Sequence, residues 1–100
     1  MNAIMIEELA SPGCQICKQF EEFWHSIENE WPQARFKKVD VTTPEGQDLA
    51  QKYMIFSSPG IIINGELWAS GGFDRGAFRE KLKRLSEADP SNGQGSASDI

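Results

Sequence analysis

Histidine and cysteine are scarce in this chain: one His and two Cys among 100 residues. A zinc site needs about four ligands, usually two Cys pairs or Cys with His. The single pair and His25 do not supply them within one chain. Basic charge is not in excess either, with 10 Lys and Arg against 15 Asp and Glu and a net charge of −5. That balance favours solubility and offers no broad positive field for a phosphate backbone, so nucleic-acid binding is not expected. No apolar run approaches the ~20 residues that span a bilayer, so no membrane partner is expected. The opening "MNAIMIEELA" has no basic n-region, and Glu7 and Glu8 interrupt its apolar stretch, so it does not read as a signal peptide. The expectation is a cytoplasmic protein and a monomer. In a reducing compartment two cysteines seldom form a structural staple. Nine glycines and five prolines are too few to indicate general disorder, and the length suits one small domain.

What the chain does contain is well-spaced apolar residues. Ile4, Met5, Ile6 and Leu9 read as a short strand, "AIMIEEL" (3–9), stopped by Pro12-Gly13. From Cys14 or Gln15 to about Trp31 the period changes. Phe20, Phe23, Trp24, Ile27 and Trp31 form one helical stripe, while Lys18, Glu21, Glu22, Glu28 and Asn29 occupy other faces. His25 is offset from the stripe and is expected to face water. Pro32 ends the helix.

"RFKKVDV" (35–41) reads as a second strand, its lysines suiting a position at or near a sheet edge. "TTPEGQDLAQKYM" (42–54) begins with a capping signature, Thr42 followed three residues later by Glu45, although Gly46 weakens the first turn. The β-branched run Ile61-Ile62-Ile63 fits a central strand covered on both faces. Asn64-Gly65 is a hairpin signal, with "ELWAS" (66–70) the antiparallel return. Asp74 can cap a last helix that buries Phe78, Leu82 and Leu85 and turns Arg75, Arg79, Lys81, Lys83 and Arg84 outward as a solvated basic face. Trp68 is either core or a surface aromatic beside a groove. From Ser86 the sequence is polar and aperiodic. Residues 1–85 are therefore expected to form the domain and 86–100 a disordered tail.

The element order is β-α-β-α-β-β-α. The first half is a βαβ unit with a right-handed crossover, and the second a hairpin with a covering helix. The expected fold is α/β, a four-stranded mixed sheet flanked by three helices.

The two cysteines, Cys14 and Cys17, stand where the first strand hands over to the first helix. A CxxC pair near a βαβ unit is the pattern of a redox motif. Unpaired N–H groups and a partial positive charge at a helix N-terminus stabilise a thiolate, lowering a cysteine pKa from about 8.5 to ~3.5–7.5. Cys14 would attack a substrate disulfide. Cys17, one turn on and more sheltered, would resolve the mixed disulfide, and Lys18 could add positive charge. Spacing alone leaves two alternatives open. One is a metal or iron–sulfur cluster held between two chains by a Cys pair from each. The other is a binding module with little turnover.

"KVDVTTPEGQDLAQKYMIFSSPGIIINGEL" (38–67) together with "CQICK" resembles thioredoxin-superfamily domains from residue 3 to about 85. The resemblance implies a thioredoxin-like fold and thiol–disulfide oxidoreductase activity with no cofactor beyond the Cys14–Cys17 pair. It further implies that Pro59 is cis and faces the pair, that Ser58 pairs its backbone with substrate, and that Ser57 is the family's Ser/Thr position. Glu8, six residues before Cys14, matches a buried acid that helps the second cysteine lose its proton, although strand register could equally turn Glu7 inward. Gly13, Gln15 and Ile16 depart from the family's Trp before the pair and Gly-Pro within it. "GGFD" (71–74) is similar to a glutaredoxin glutathione motif, making Gly71 and Gly72 candidate contacts. The lysine that glutaredoxins place three residues before the first cysteine is here Ser11. The implied partners are protein or small-molecule disulfides and an external reductant, either a thioredoxin reductase-like enzyme or glutathione.

Overall fold

The computed structural model describes residues 3–87. It contains strands β1 (Ile4–Ala10), β2 (Ala34–Asp40), β3 (Gly60–Ile63) and β4 (Glu66–Ser70). The helices are α1 (Gln15–Ile27), α2 (Pro44–Tyr53) and α3 (Arg75–Glu87), with a short 3-10 turn at Glu28–Glu30. The sheet order is β2-β1-β3-β4. β1 and β2 are parallel, and β3 is antiparallel to both β1 and β4. This is the four-stranded mixed sheet with three helices expected from the sequence, with Lys37 and Lys38 on an edge strand. Among the described residues no helix is long and apolar enough to cross a membrane.

Alternation along the strands divides the core between two faces. Ile4, Ile6, Ile61 and Ile63 point to one side, where Phe20, Phe23, Trp24 and Ile27 of α1 and Phe78 and Leu82 of α3 close over them. Leu9, Val39 and Ile62 point to the other and meet Ile55 with Leu49, Ala50 and Tyr53 from the α2 side. β3 is buried along its whole length. Each fully buried Ile or Phe contributes about 1.5–3 kcal/mol, so both layers are needed. The aromatic rings interlock edge to face, with Phe78 at 5.2 Å from Phe20 and 5.4 Å from Trp68. Trp68 therefore belongs to the core.

Several element ends differ from expectation for local reasons. α1 stops at Ile27 rather than near Trp31, because the chain tightens into the 3-10 turn before Pro32. The cap of α2 is Thr43, not Thr42. Its hydroxyl accepts the Gly46 N–H at 3.0 Å, and Pro44 fills the first helical position. Glu45 is left to pair with Lys37 across to β2. Gly46 is buried, and a Cβ there would lie 2.1 Å from the Asp40 carbonyl oxygen. The glycine is what lets α2 start so close to the end of β2.

At the hairpin, Asn64 (φ 51°) and Gly65 (φ 79°) take the left-handed conformations of a tight turn. Asn64 also exchanges hydrogen bonds with the backbone of Met5, both at 2.8 Å, tying the turn to β1. Asp74 caps α3 through the Ala77 N–H at 2.8 Å. The helix runs to Glu87, two residues past the expected end of the domain, and Gln33 donates to Ser86 at 2.6 Å. The remainder of the expected tail, 88–100, lies outside the described residues. On the basic face of α3, Arg79 pairs with Glu30 at 2.7 Å and Arg75 lies over the rings of Phe23 and Phe73.

Candidate active site

Gly13 (φ +75°) turns the chain out of β1, and the next residue, Cys14, is the N-cap of α1. Cys14 Sγ accepts the Cys17 N–H at 3.1 Å, in the place where a Ser or Asp oxygen usually caps a helix. The Cys14 carbonyl accepts the Lys18 N–H at 3.2 Å. Cys14 and Cys17 form a disulfide with their Cα atoms 5.3 Å apart. Cys14 is half-buried and reachable, whereas Cys17 is 3 % exposed and lies behind it. Gln15 and Ile16 face outward, and Ile16 is one of the few large apolar residues left exposed among the described residues.

The loop from Phe56 to Gly60 comes up beside the pair. The Ser58–Pro59 peptide bond is cis, and Pro59 is fully buried. Ser58 Oγ lies 2.6 Å from Ser11 Oγ, three residues before Cys14, and Ser57 is exposed. The Gly71 N–H donates to the Pro59 carbonyl at 2.9 Å. Gly71 (φ +82°) passes so close to Ser57 that a Cβ would sit 3.2 Å from the serine Cβ. Ser11, Ser58, Pro59 and Gly71 thus form one connected rim, with Gly72 following.

A cleft of about 530 Å³ opens beside the pair, with Ser11 at its edge. Its wall includes Cys14, Cys17, Lys18, Glu21, Lys38 and Asp40. Beneath it lies Glu8. The register of β1 puts Glu8 in the row of Ile4 and Ile6, facing α1, and leaves it 0 % exposed. Glu7 turns to the other face and stays partly exposed. Among the described residues neither carboxylate oxygen of Glu8 meets a donor. Burial pushes its pKa up to about 8, the neighbouring Glu21 carboxylate pushes the same way, and Lys38 pulls back. Lys38 is the β2 partner of Glu8 and donates to Glu21 Oε1 at 3.2 Å.

The structure therefore brings Cys14, Cys17, Lys18 and Glu8 to one end of β1 and α1, with Ser57, Ser58, Pro59, Gly71 and Gly72 along the opposite rim. His25 is not among them. It lies eight residues beyond Cys17 on the exposed side of α1, 3.1 Å from Glu28. Sequence reasoning missed Glu21 and Lys38. Glu21 had a signal, since it follows Cys17 by four residues on a helix. Lys38 had none, because only strand register sets it opposite Glu8.

Comparison with known proteins agrees with this geometry. A family model described as a thioredoxin domain matches residues 3–83. The chain is 29% identical over 84 residues to a thioredoxin of Methanocaldococcus jannaschii, covering 84% of this chain and 98% of that protein. Among solved structures it is similar to a mutant thioredoxin from Halobacterium salinarum, with a TM-score of 0.68 and 24% identity over 89% of this chain and 80% of that one. It is likewise similar to Fasciola hepatica thioredoxin, with a TM-score of 0.67 and 21% identity over 84% of this chain and 82% of that one. With the family model matched over most of its length and a CxxC pair at the start of α1, the chain belongs to the thioredoxin family of thiol–disulfide oxidoreductases.

Proposed function

We propose that this thiol–disulfide oxidoreductase reduces protein or small-molecule disulfides, with Cys14 as the attacking thiolate and Cys17 as the resolving thiol. The observation that carries the reading is Cys14 Sγ at the N-cap of α1, accepting the Cys17 N–H, with Cys17 buried behind it. A thiolate there gains a donor and the positive end of the helix dipole.

The Cys14 thiolate attacks one sulfur of the substrate disulfide, and the other leaves as a thiolate that takes a proton. The Cys17 thiol then gives up its proton and attacks Cys14 Sγ. The Cys14–substrate bond breaks, the second substrate sulfur leaves as a thiol, and the Cys14–Cys17 disulfide closes. Two electrons have passed from the pair to the substrate. An external dithiol, or two glutathione molecules, returns them. No cofactor beyond the pair is needed.

Substrate backbone would pair with Ser58 beside the cis peptide, with Gly13, Gln15, Ile16, Ser57, Gly71 and Gly72 around it. Glu8 would receive the Cys17 proton, and Lys18 would favour the Cys14 thiolate. We place the protein in the cytoplasm as a monomer, where a lone cysteine pair is kept reduced between turnovers. Gly71-Gly72 supports a second reading, in which glutathione is the donor.

The test is turnover of a protein disulfide such as insulin, supplied either with thioredoxin reductase and NADPH or with glutathione. Cys14→Ser should abolish turnover, and Cys17→Ser should accumulate mixed disulfides. A protein that leaves the disulfide intact with both donors refutes the reading.

A further inference from the structure

Three charged side chains behind the cysteines have fewer donors than acceptors. Both oxygens of Glu8 and Oε2 of Glu21 are buried without a hydrogen-bond donor among the described residues, and Lys38 reaches only Glu21 Oε1. With both acids ionised, the trio would carry one uncompensated negative charge around a carboxylate shut off from water. That state is costly, because a buried carboxylate without donors loses its hydration and gets nothing back. One proton held between the two acids corrects both faults. It cancels the extra charge, and the O–H of one carboxyl then donates to the other.

The two acids differ in access. Glu8 is fully buried, while the Glu21 side chain keeps 19 % of its surface exposed. Glu21 stands one helical turn after Cys17 and shares the cleft wall with it. The other charged groups facing the pair are Lys18 on α1 and Lys38 and Asp40 on β2. β3 presents Ile61 beside Glu8, and α3 presents Phe78 and Leu82 to the same face, all uncharged.

We infer that Glu21 is a positioning residue for proton transfer at Cys17: it shares one proton with the buried Glu8 and carries it between that acid and the cleft. The inference rests on the redox reading above. When Cys17 attacks the mixed disulfide, its thiol proton passes to the carboxylate left open in the pair. The pair releases it through Glu21 to water or to the departing substrate thiolate. Nothing is oxidised or reduced beyond the thiols and disulfide already named.

The experiment uses the oxidised full-length protein, in which the cysteines do not titrate, and follows the side-chain carboxyl carbons of labelled Glu8 and Glu21 by NMR across a pH series. The expected result is a Glu8 step near or above neutrality, with the Glu21 carboxyl carbon responding in the same step. Glu21→Gln should move the Glu8 step down by about one pH unit or more, because the new amide donates and carries no charge. Lys38→Met, a change at a half-exposed position, should move it up and serves if Glu21→Gln fails to fold. In the reduced protein, Glu21→Gln should slow the Cys17 resolving step about tenfold or more at neutral pH while leaving attack by Cys14 unchanged. An unmoved Glu8 step in either variant, or a Glu21 that titrates alone like an ordinary exposed acid, overturns the inference. A wild-type protein inert toward disulfides overturns the redox reading instead, and the oxidised-state titration still decides whether the proton is shared.

Discussion

Ser11 Oγ lies 2.6 Å from Ser58 Oγ, so a single hydrogen bond joins the turn before Cys14 to the loop before Pro59. The two serines come from segments 47 residues apart, and their bond holds the loop before Pro59 against the turn that leads into Cys14. Ser11→Ala and Ser58→Ala should each lower stability by about 1 kcal/mol. In a double-mutant cycle by urea denaturation the two losses should fall short of adding. Each change should also raise KM for a protein disulfide more than it lowers kcat. Fully additive losses in the cycle would show that the bond contributes nothing.

Gly46 is held by a steric limit. A Cβ at this position would come 2.1 Å from the Asp40 carbonyl oxygen and 2.7 Å from the Val41 Cα, both backbone atoms. Although alanine is the better helix former by about 1 kcal/mol, Gly46→Ala should destabilise the protein by roughly 3 kcal/mol or more. Thermal unfolding followed by circular dichroism measures it. A Tm equal to or above that of the wild type would contradict the contact.

Met54 runs the other way. It closes α2 in the left-handed conformation, φ 54° and ψ 49°, with its side chain 69 % exposed. A non-glycine residue costs about 1 kcal/mol there, and little packing is lost by removing this one. Met54→Gly should raise the urea midpoint with the slope unchanged, a gain of up to about 1 kcal/mol.

Glu8 gives the stability a pH dependence of definite sign. Its folded pKa, about 8, lies above the ordinary value of 4.5. Between those values the unfolded chain has released the proton that the folded protein keeps. Stability should therefore fall as pH rises through this window and level off above it. Below the window both states are protonated and the group has no effect. Glu8→Gln should flatten the slope and leave the oxidised protein more stable than the wild type at pH 8, by on the order of a few kcal/mol. Urea titrations at several pH values read this directly. A wild-type stability that rises through the window would reverse the argument.

Much of the fold was legible because each element announced itself with its own period and punctuation. Phe20, Phe23, Trp24 and Ile27 could only share a face on a helix, the Ile61–Ile63 run could only be a covered strand, and Asn64-Gly65 and Asp74 fixed the next two junctions. Thr42 and Thr43 are both capping residues, and only the preference of Pro44 for the first helical position separates them. Gly46 looked like a weak point in a helix, because the carbonyl it makes room for belongs to another element. At the site, Cys14 and Cys17 and the Pro59 loop were readable as motifs. The orientation of Glu8 was not, since it depends on which way the pleat turns once β1 is paired. Glu21 read as a solvent-facing acid because it lies off the apolar stripe, but the edge of that stripe is the wall of the cleft.

Cys14 has two duties that change together. Its sulfur is both the reacting atom and the group that closes the first turn of α1 on the Cys17 N–H. A thiolate is a much stronger acceptor than a disulfide sulfur, so reduction should tighten a bond that already closes the first turn in the disulfide form. The hydrogen-exchange rate of one backbone amide, that of Cys17, should therefore be slower in the reduced protein and report which half of the redox cycle the molecule is in.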